Sequence, residues 1–139
     1  MSKKSGKITE RIAEFQGREL DAHYLGFFDC FNDQLFYEAH DVLEELWLPD
    51  RHGPKGDFFK GLIQLAGAFV HLQKERLRPS AALFKLARAN LLKYPTTYER
   101  LDVAAVLKLI ADWLNWLEGA AFNVNPLRGR VAPRLQLLE

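Results

Sequence analysis

The spacing of apolar residues between glycine and proline breaks constrains the fold of this chain more than any other feature. Within each segment the apolar side chains follow a helical period rather than the alternation of a half-buried strand. Breaks fall at Gly53, Pro54, Pro79, Pro95 and Gly119. The sequence therefore predicts an all-α fold, a compact array of about five helices in a single domain.

Capping residues and prolines predict the helix bounds. Asp21 can cap a helix that ends near Phe31, and a second helix runs from about Leu35 to Leu48, because Pro49 disfavours the α conformation in the residue before it. Further helices are predicted from an Asp57 cap to about Leu77, over residues 79–94 before Pro95, and over residues 103–118 between an Asp102 cap and Gly119 as the residue after the helix.

Three regions follow along the chain. Residues 1–20 are predicted to form an N-terminal extension with a short helix from Thr9 to about Gly17. Residues 21–119 are predicted to form the helical domain. Residues 120–139 carry no helical stripe and are predicted to form an extended C-terminal tail on the surface.

The composition excludes several classes of protein. The 139 residues suffice for a buried core, and 19 basic against 18 acidic residues give a net charge of only +1. This balance provides no electrostatic footprint for nucleic acid or an anionic membrane. The basic leader is not followed by a signal-peptide apolar run, and Cys30 has no cysteine to pair with. We expect a cytoplasmic protein with a buried Cys30 and with neither nucleic acid nor membrane as a partner.

The segment "FYEAHDVLEELW", residues 36–47, concentrates polar and aromatic side chains on one predicted helix. At about 100° per residue, His40, Glu44 and Trp47 share a face that borders the apolar stripe. A different side carries three carboxylates and is expected to be a solvated acidic face: Glu38, Asp41 and Glu45.

Two kinds of metal site are not supported by these residues, the first because of this division. Di-iron carboxylate bundles use Glu and His three residues apart, whereas Glu38 and His40 are two apart and point in nearly opposite directions. The doublet of His40 and Asp41 is similar to that of the metal phosphohydrolases named for a His-Asp pair. Those enzymes need a further histidine and a distant aspartate, for which His23 and Asp102 are only arbitrary candidates.

The long helix predicted after residue 57 carries a stripe that is both polar and small. Gly61, Gly67 and Ala68 lie beside Gln64 and His71 on this stripe, which indicates that a neighbouring helix approaches closely. We expect the stripe to pack on the face that carries His40. The predicted pocket then consists of His40, Glu44, Trp47, Gln64 and His71.

Such a pocket supports two kinds of chemistry. His40 and Glu44, four residues apart, could bind a divalent metal ion with His71 as the third ligand. The same three side chains are also the candidate catalytic groups of an acid–base, hydrolytic site, with no evident nucleophile. Trp47 and Gln64 are the candidate contacts of an unknown small ligand or cofactor, with Gln64 orienting it.

A non-catalytic alternative remains open. The same side chains could form a buried polar network that only fixes helix register in an interaction or scaffold module. In the last predicted helix, Leu109 and Trp116 lie outside the main apolar stripe. They could cover another element of the chain or a second copy, as in a homo-oligomer.

The motifs together resemble a known family. "CFNDQLFYEAHDVLEELW" followed by "FFKGLIQLAGAFVHLQKERLRPSAALFKLARANL" is similar to the bacterial and archaeal domain-of-unknown-function family 309. The resemblance covers about residues 22–95 and implies a compact array of α-helices without an assigned reaction. The matching positions are Phe31, Asn32, Glu38, Ala39, His40, Leu43, Glu44, Glu45, Trp47, Gly61, Leu62, Ile63, Gln64 and His71.

Overall fold

The described part of the chain is an array of five α-helices with one small hairpin. The computed structural model describes residue 13 and residues 20–139. The helices are α1 (Ala22–Asn32), α2 (Phe36–Trp47), α3 (Gly56–Gln73), α4 (Leu77–Leu91) and α5 (Val103–Gly119), and a 3-10 turn (Leu48–Asp50) follows α2. The all-α prediction is confirmed. The short helix predicted from Thr9 to Gly17 lies outside the described residues.

Two of the predicted helix caps are confirmed. The Asp21 carboxylate accepts a hydrogen bond from the backbone N–H of His23 at 2.7 Å, and α1 begins at the next residue, Ala22. The Asp102 carboxylate accepts from the backbone N–H of Ala105 at 3.0 Å at the start of α5. Each cap satisfies an N–H group that has no partner inside the helix.

The start of α3 differs from the prediction. The helix begins at Gly56, and Lys55 precedes it without a capping side-chain hydrogen bond. Asp57 lies inside the first turn, and its carboxylate instead accepts from the ammonium of Lys93 at 2.8 Å. The prediction of Asp57 as the capping residue is therefore wrong, because its side chain is used to hold the end of α4.

The end of α5 also differs. Gly119 is still helical, and the left-handed backbone falls on Ala121 and Phe122, whose φ angles are 52° and 60°. The N–H of Phe122 donates to the carbonyl of Leu117 at 3.0 Å and closes the helix end. This hydrogen bond thus supports a left-handed backbone at two residues that are not glycine. A glycine such as Gly119 would adopt the left-handed conformation at a lower conformational cost.

The core is organised around Phe69 in α3, which is fully buried. Its ring contacts one aromatic ring from each of the other four helices. The centroid distances are 5.6 Å to Phe31 of α1, 5.0 Å to Phe36 of α2, 5.2 Å to Phe84 of α4 and 4.9 Å to Trp113 of α5. Such aromatic pairs contribute about 0.5–1.5 kcal/mol each beyond burial. Because Phe69 contacts all four of the other helices, α3 is the central helix of the array.

The small residues of α3 face α4. A Cβ atom at Gly61 would lie 3.0 Å from Cγ of Leu91, and one at Gly67 would lie 3.0 Å from Cδ1 of Leu83. The hydroxyl of Ser80 donates to the carbonyl of Ala68 at 2.8 Å. The small residues of this stripe thus let α4 approach, a neighbour that the prediction of packing on the His40 face did not include.

A two-stranded hairpin that the sequence analysis did not predict joins α4 to α5. Strand β1 (Thr97–Tyr98) pairs antiparallel with β2 (Leu101–Asp102). The two turn residues, Glu99 and Arg100, have φ angles of 50° and 59°. Two-residue turns whose twist matches that of the flanking strands require positive φ at both central residues. Asparagine and glycine are the usual residues at these positions.

The tail after α5 has no helix or strand but is tied into the fold. The Asn32 amide N–H donates to the carbonyl of Leu135 at 2.7 Å, and the Leu135 backbone N–H donates to Oδ1 of Asn32 at 2.6 Å. The Leu135 side chain is only 6% exposed and belongs to the core. Nearer α5, the buried Asn125 amide donates to the carbonyl of Leu72 at 2.6 Å.

Three further expectations concern burial and surface. Cys30 is buried, as predicted. Leu109 and Trp116 are half-buried and pack against the core of their own chain, so the described residues cover much of the surface considered for a second copy. Within residues 20–139, no helix combines the length and apolar character needed to cross a bilayer.

The tail can be tested with two matched leucine substitutions. Leu135→Ala should lower the free energy of unfolding by about 2–4 kcal/mol, because it leaves a cavity in the core. Leu138→Ala, at a side chain that is 44% exposed, should change it by less than about 1 kcal/mol. Urea denaturation followed by circular dichroism measures both. Equal effects of the two substitutions would show that the tail is not part of the core.

Candidate ligand-binding cleft

A cavity of about 220 Å³ lies where α2, α3 and α4 meet, and we call it the α2–α3 cleft. Its polar lining consists of Tyr37, His40, Gln64 and His71. The remaining lining is apolar or small and consists of Ile63, Gly67, Val70 and Leu83. The structure thus brings His40, Gln64 and His71 of the predicted pocket together at one cavity, whereas Glu44 and Trp47 do not line it.

His40 is held by neighbours on its own helix. Its Nδ1 lies 3.3 Å from Oδ1 of Asp41, and its Nε2 lies 4.0 Å from Oε2 of Glu44. Its ring stacks beside that of Tyr37, with a centroid distance of 6.3 Å and an interplanar angle of 19°. Because a carboxylate only accepts hydrogen bonds, the proton between the two side chains lies on Nδ1 of His40. In a neutral ring, Nε2 of His40 is then the acceptor.

Asp41, which contacts His40, is a residue that the sequence analysis assigned to the wrong environment. Its side chain is buried, at 4% exposure for the residue, rather than part of a solvated acidic face. Glu45 on the same side is exposed but accepts a hydrogen bond from Nε2 of His23 in α1 at 2.9 Å. This side of α2 packs towards α1. It is therefore not a solvated acidic face. The adjacency of His40 and Asp41 was the only sequence signal for their pairing.

Gln64 is positioned by a residue that the sequence analysis did not select. Its Oε1 accepts a hydrogen bond from Nδ2 of Asn90 in α4 at 2.8 Å. The two residues are 26 positions apart, and the prediction placed the Gln64 face against α2 rather than α4. No sequence pattern therefore pointed to Asn90, whereas the close approach of α4 over Gly61 brings its side chain within reach.

His71 lies half-buried at the end of the cleft nearest the C-terminus of α3. Its Nδ1 is buried and has no hydrogen-bond partner among the described residues. Burial lowers the pKa of His71 below its ordinary value, and the positive charges of Arg76 and Lys74 lower it further. The ring is therefore neutral at pH 7, and a buried nitrogen without a partner costs about 1–3 kcal/mol.

The two remaining predicted residues lie outside the cleft lining. Glu44 is half-buried beside His40, and Nε1 of Trp47 is buried without a partner in residues 20–139. Within the same residues, no group of three or more His, Cys, Asp or Glu side chains is placed to hold a metal ion. The cleft contains two of the three predicted ligands, His40 and His71, and the divalent metal stays a prediction.

The fold and cleft define a small helical protein with a cavity of mixed polarity between three helices. The family model described as Domain of unknown function (DUF309) matches residues 24–90, and this segment belongs to that family. The resemblance drawn from the motifs is thereby confirmed. The matched segment contains α2, α3 and every residue that lines the cleft. Searches of curated proteins and of solved structures find no match.

The lowered pKa of His71 predicts a pH dependence of stability. A histidine with a folded-state pKa below its unfolded value binds fewer protons when folded, so its contribution is fully present above about pH 6.5 and is lost as the pH falls towards the folded pKa. The stability advantage of the wild type over His71→Gln should therefore shrink between pH 7.5 and pH 5. Urea midpoints across this range measure it. An advantage that grows on acidification would contradict the lowered pKa.

Proposed function

We propose that the protein binds a small organic molecule in the α2–α3 cleft. The observation that carries the proposal is the convergence of His40, Gln64 and His71 on one cavity with apolar walls. Ligand sites typically combine mostly apolar walls with a few placed polar groups that fix orientation. The apolar body of the ligand packs against Val70 and Leu83, and its polar head lies among the three polar side chains.

The size of the cavity limits the ligand. Pockets for drug-sized molecules enclose roughly 300–1,000 Å³, whereas this one encloses about 220 Å³. A compact molecule with a small aliphatic or cyclic body and a single polar head fits these dimensions. The neutral His71 and the lack of Lys and Arg among the described residues that line the cleft favour a ligand without a large net charge.

His40 is the group best placed for proton transfer within this proposal. The buried Asp41 beside Nδ1 orients the ring, so that Nε2 can accept a hydrogen bond or a proton from a bound hydroxyl, amide or water. An acid–base reaction at the bound molecule is therefore compatible with the cleft, and binding is the part of the function that the geometry supports directly.

Filling the cavity should abolish binding without unfolding the protein. The probe is isobutyramide, a compact molecule with one polar head, titrated into ¹⁵N-labelled protein. We expect amide shifts that cluster at Ile63, Gln64 and His71 in the wild type. Val70→Phe places a ring in the cleft and should weaken binding at least about tenfold, equivalent to about 1.4 kcal/mol.

The matched control is Leu92→Phe, which enlarges a side chain that is 63% exposed and outside the cleft. This variant should bind isobutyramide as the wild type does. The melting temperature of each variant shows that it is folded. Shifts that do not cluster at the cleft, or equal binding by folded Val70→Phe and the wild type, would refute the proposed function.

A second candidate function has support from one contact. The hydrogen bond from Asn90 to Gln64 joins α4 to α3, as expected if the polar motif fixes helix packing in a scaffold or interaction module. Such a module needs no ligand in the cleft. A homo-oligomer would be one partner arrangement of this kind.

A substitution at His40 separates the two functions. If the cleft binds a ligand, His40→Ala should lower the affinity for isobutyramide several-fold and change the free energy of unfolding by less than about 1 kcal/mol, because His40 is only half-buried. If His40 serves packing alone, the loss of stability should exceed about 2 kcal/mol. His52→Ala, at an exposed histidine in the loop after α2, is the control in both measurements.

A further inference from the structure

The orientation of the Gln64 amide is fixed by residues outside the cleft. The ammonium of Lys93 lies 3.3 Å from Oδ1 of Asn90, and Nδ2 of Asn90 lies 2.8 Å from Oε1 of Gln64. We call these three side chains the amide relay. Lys93 is itself held by the Asp57 carboxylate at 2.8 Å, which ties the relay to the first turn of α3.

Only one orientation of the relay places a donor opposite an acceptor at both of its contacts. An ammonium group can only donate, so Asn90 must turn its oxygen towards Lys93 and its NH₂ group towards Gln64. Gln64 must then use its oxygen for Asn90. The reversed orientation of Asn90 would place NH₂ against the ammonium, two donors without an acceptor between them.

The relay therefore determines what Gln64 offers to the cleft. Its oxygen is used by Asn90, and no other residue in the described part of the chain takes a hydrogen bond from its NH₂ group. Gln64 lines the cleft, so this NH₂ group is the donor available to a bound molecule. When the His40 ring is neutral, its Nε2 is the complementary acceptor, because the Nδ1–H group donates to Asp41.

We propose that Asn90, through the amide relay, makes the cleft selective for a ligand whose head group carries a hydrogen-bond acceptor for Gln64. A small aliphatic carboxamide satisfies both sides, since its carbonyl accepts from Gln64 and its N–H donates to His40. This inference rests on the proposed function, because it names the class of ligand for the same cleft. Asn90 does not line the cleft and acts as a positioning residue.

The test is Asn90→Asp, which should reverse the Gln64 amide. A carboxylate only accepts, so it still pairs with Lys93 and now requires the NH₂ group of Gln64. The Gln64 oxygen then faces the cleft in place of the donor. Asn115→Asp makes the same change at an exposed residue of α5 and is the matched control.

The first readout needs no ligand. In the wild type and in Asn115→Asp, both side-chain N–H protons of Gln64 should exchange rapidly with water. In Asn90→Asp, one of them is bonded to the carboxylate and should exchange at least about tenfold more slowly, as a protected hydrogen bond does. Unchanged exchange at Gln64 would overturn the relay, whatever the cleft binds.

The second readout uses two five-membered rings of opposite hydrogen-bonding character. Cyclopentanone can only accept, and pyrrole donates through its N–H. Asn90→Asp should weaken cyclopentanone binding by about three- to tenfold, the effect of one hydrogen bond, while pyrrole binding stays equal or strengthens. A reversed amide with an unchanged ratio of the two affinities would overturn the selectivity.

A second variant covers the case in which Asn90→Asp does not fold. Gln64→Glu keeps an acceptor for Asn90 but removes the donor from the cleft. Its affinity for cyclopentanone should therefore fall by a similar factor. Failure of isobutyramide and of both rings to shift the cleft resonances of the wild type would refute the proposed function and the selectivity together, and binding of isobutyramide without either ring would refute the selectivity alone. The exchange measurement on Gln64 would still decide the relay on its own.

Discussion

The contacts of Phe69 fix how α3 is rotated about its own axis, and the cleft depends on that rotation. One buried ring that touches an aromatic ring on each of the other four helices cannot turn without disturbing all of them. At about 100° per residue, Gln64 and His71 lie some 140–160° from Phe69 around the helix. The aromatic core on one side of α3 therefore determines which polar side chains reach the cleft on the other.

The sequence predicted the helices because their signals are local. These signals are the apolar periodicity, the Asp21 and Asp102 caps and Pro49. Each acts within a few positions of the chain and corresponds to an observed helix boundary within a few residues. The hairpin before α5 lacked such a signal, because Glu99 and Arg100 occupy turn positions that usually carry asparagine or glycine. A turn formed by residues that are uncommon at these positions therefore gives no recognisable signal in the sequence.

The polar lining of the cleft was predicted in part, and the differences have a common physical cause. A helical wheel shows which residues share a face, so His40, Gln64 and His71 could be proposed together and do line one cavity. It does not show which helix covers that face. The glycines of α3 indicated a close neighbour correctly, but the neighbour is α4 rather than α2. Asn90 was missed for that reason.

Asp41 shows the same limit at shorter range. The wheel places it on a side away from His40, yet its carboxylate reaches Nδ1 of that ring, because adjacent side chains on a helix can turn towards each other. Its burial depends on the packing of α2 between α1 and α3, which no pattern within residues 36–47 encodes. Pairings between neighbouring polar residues therefore have to be judged with the tertiary structure.

The C-terminal end of α3 connects the cleft to the tail. Glu75 has a φ of 60° and ends the helix, and its carboxylate accepts hydrogen bonds from Asn125 and Arg128, each at 2.8 Å. These bonds lower the pKa of Glu75, with Arg128 the largest cause. Four residues before this turn lies His71, so the tail holds the helix end that carries one wall of the cleft.

The polar groups of the cleft set a condition on any ligand. A cavity of about 220 Å³ has room for roughly seven waters at about 30 Å³ each, and these waters can form hydrogen bonds with the polar atoms that face the cavity. A ligand that displaces those waters must replace their hydrogen bonds or lose affinity. Contact between an apolar ligand body and walls such as Val70 and Leu83 would raise the affinity. A head group that cannot form hydrogen bonds with Gln64 and His40 would lower it. In the proposed function, affinity at the walls and selectivity at the polar groups would therefore arise from different residues of the same cavity.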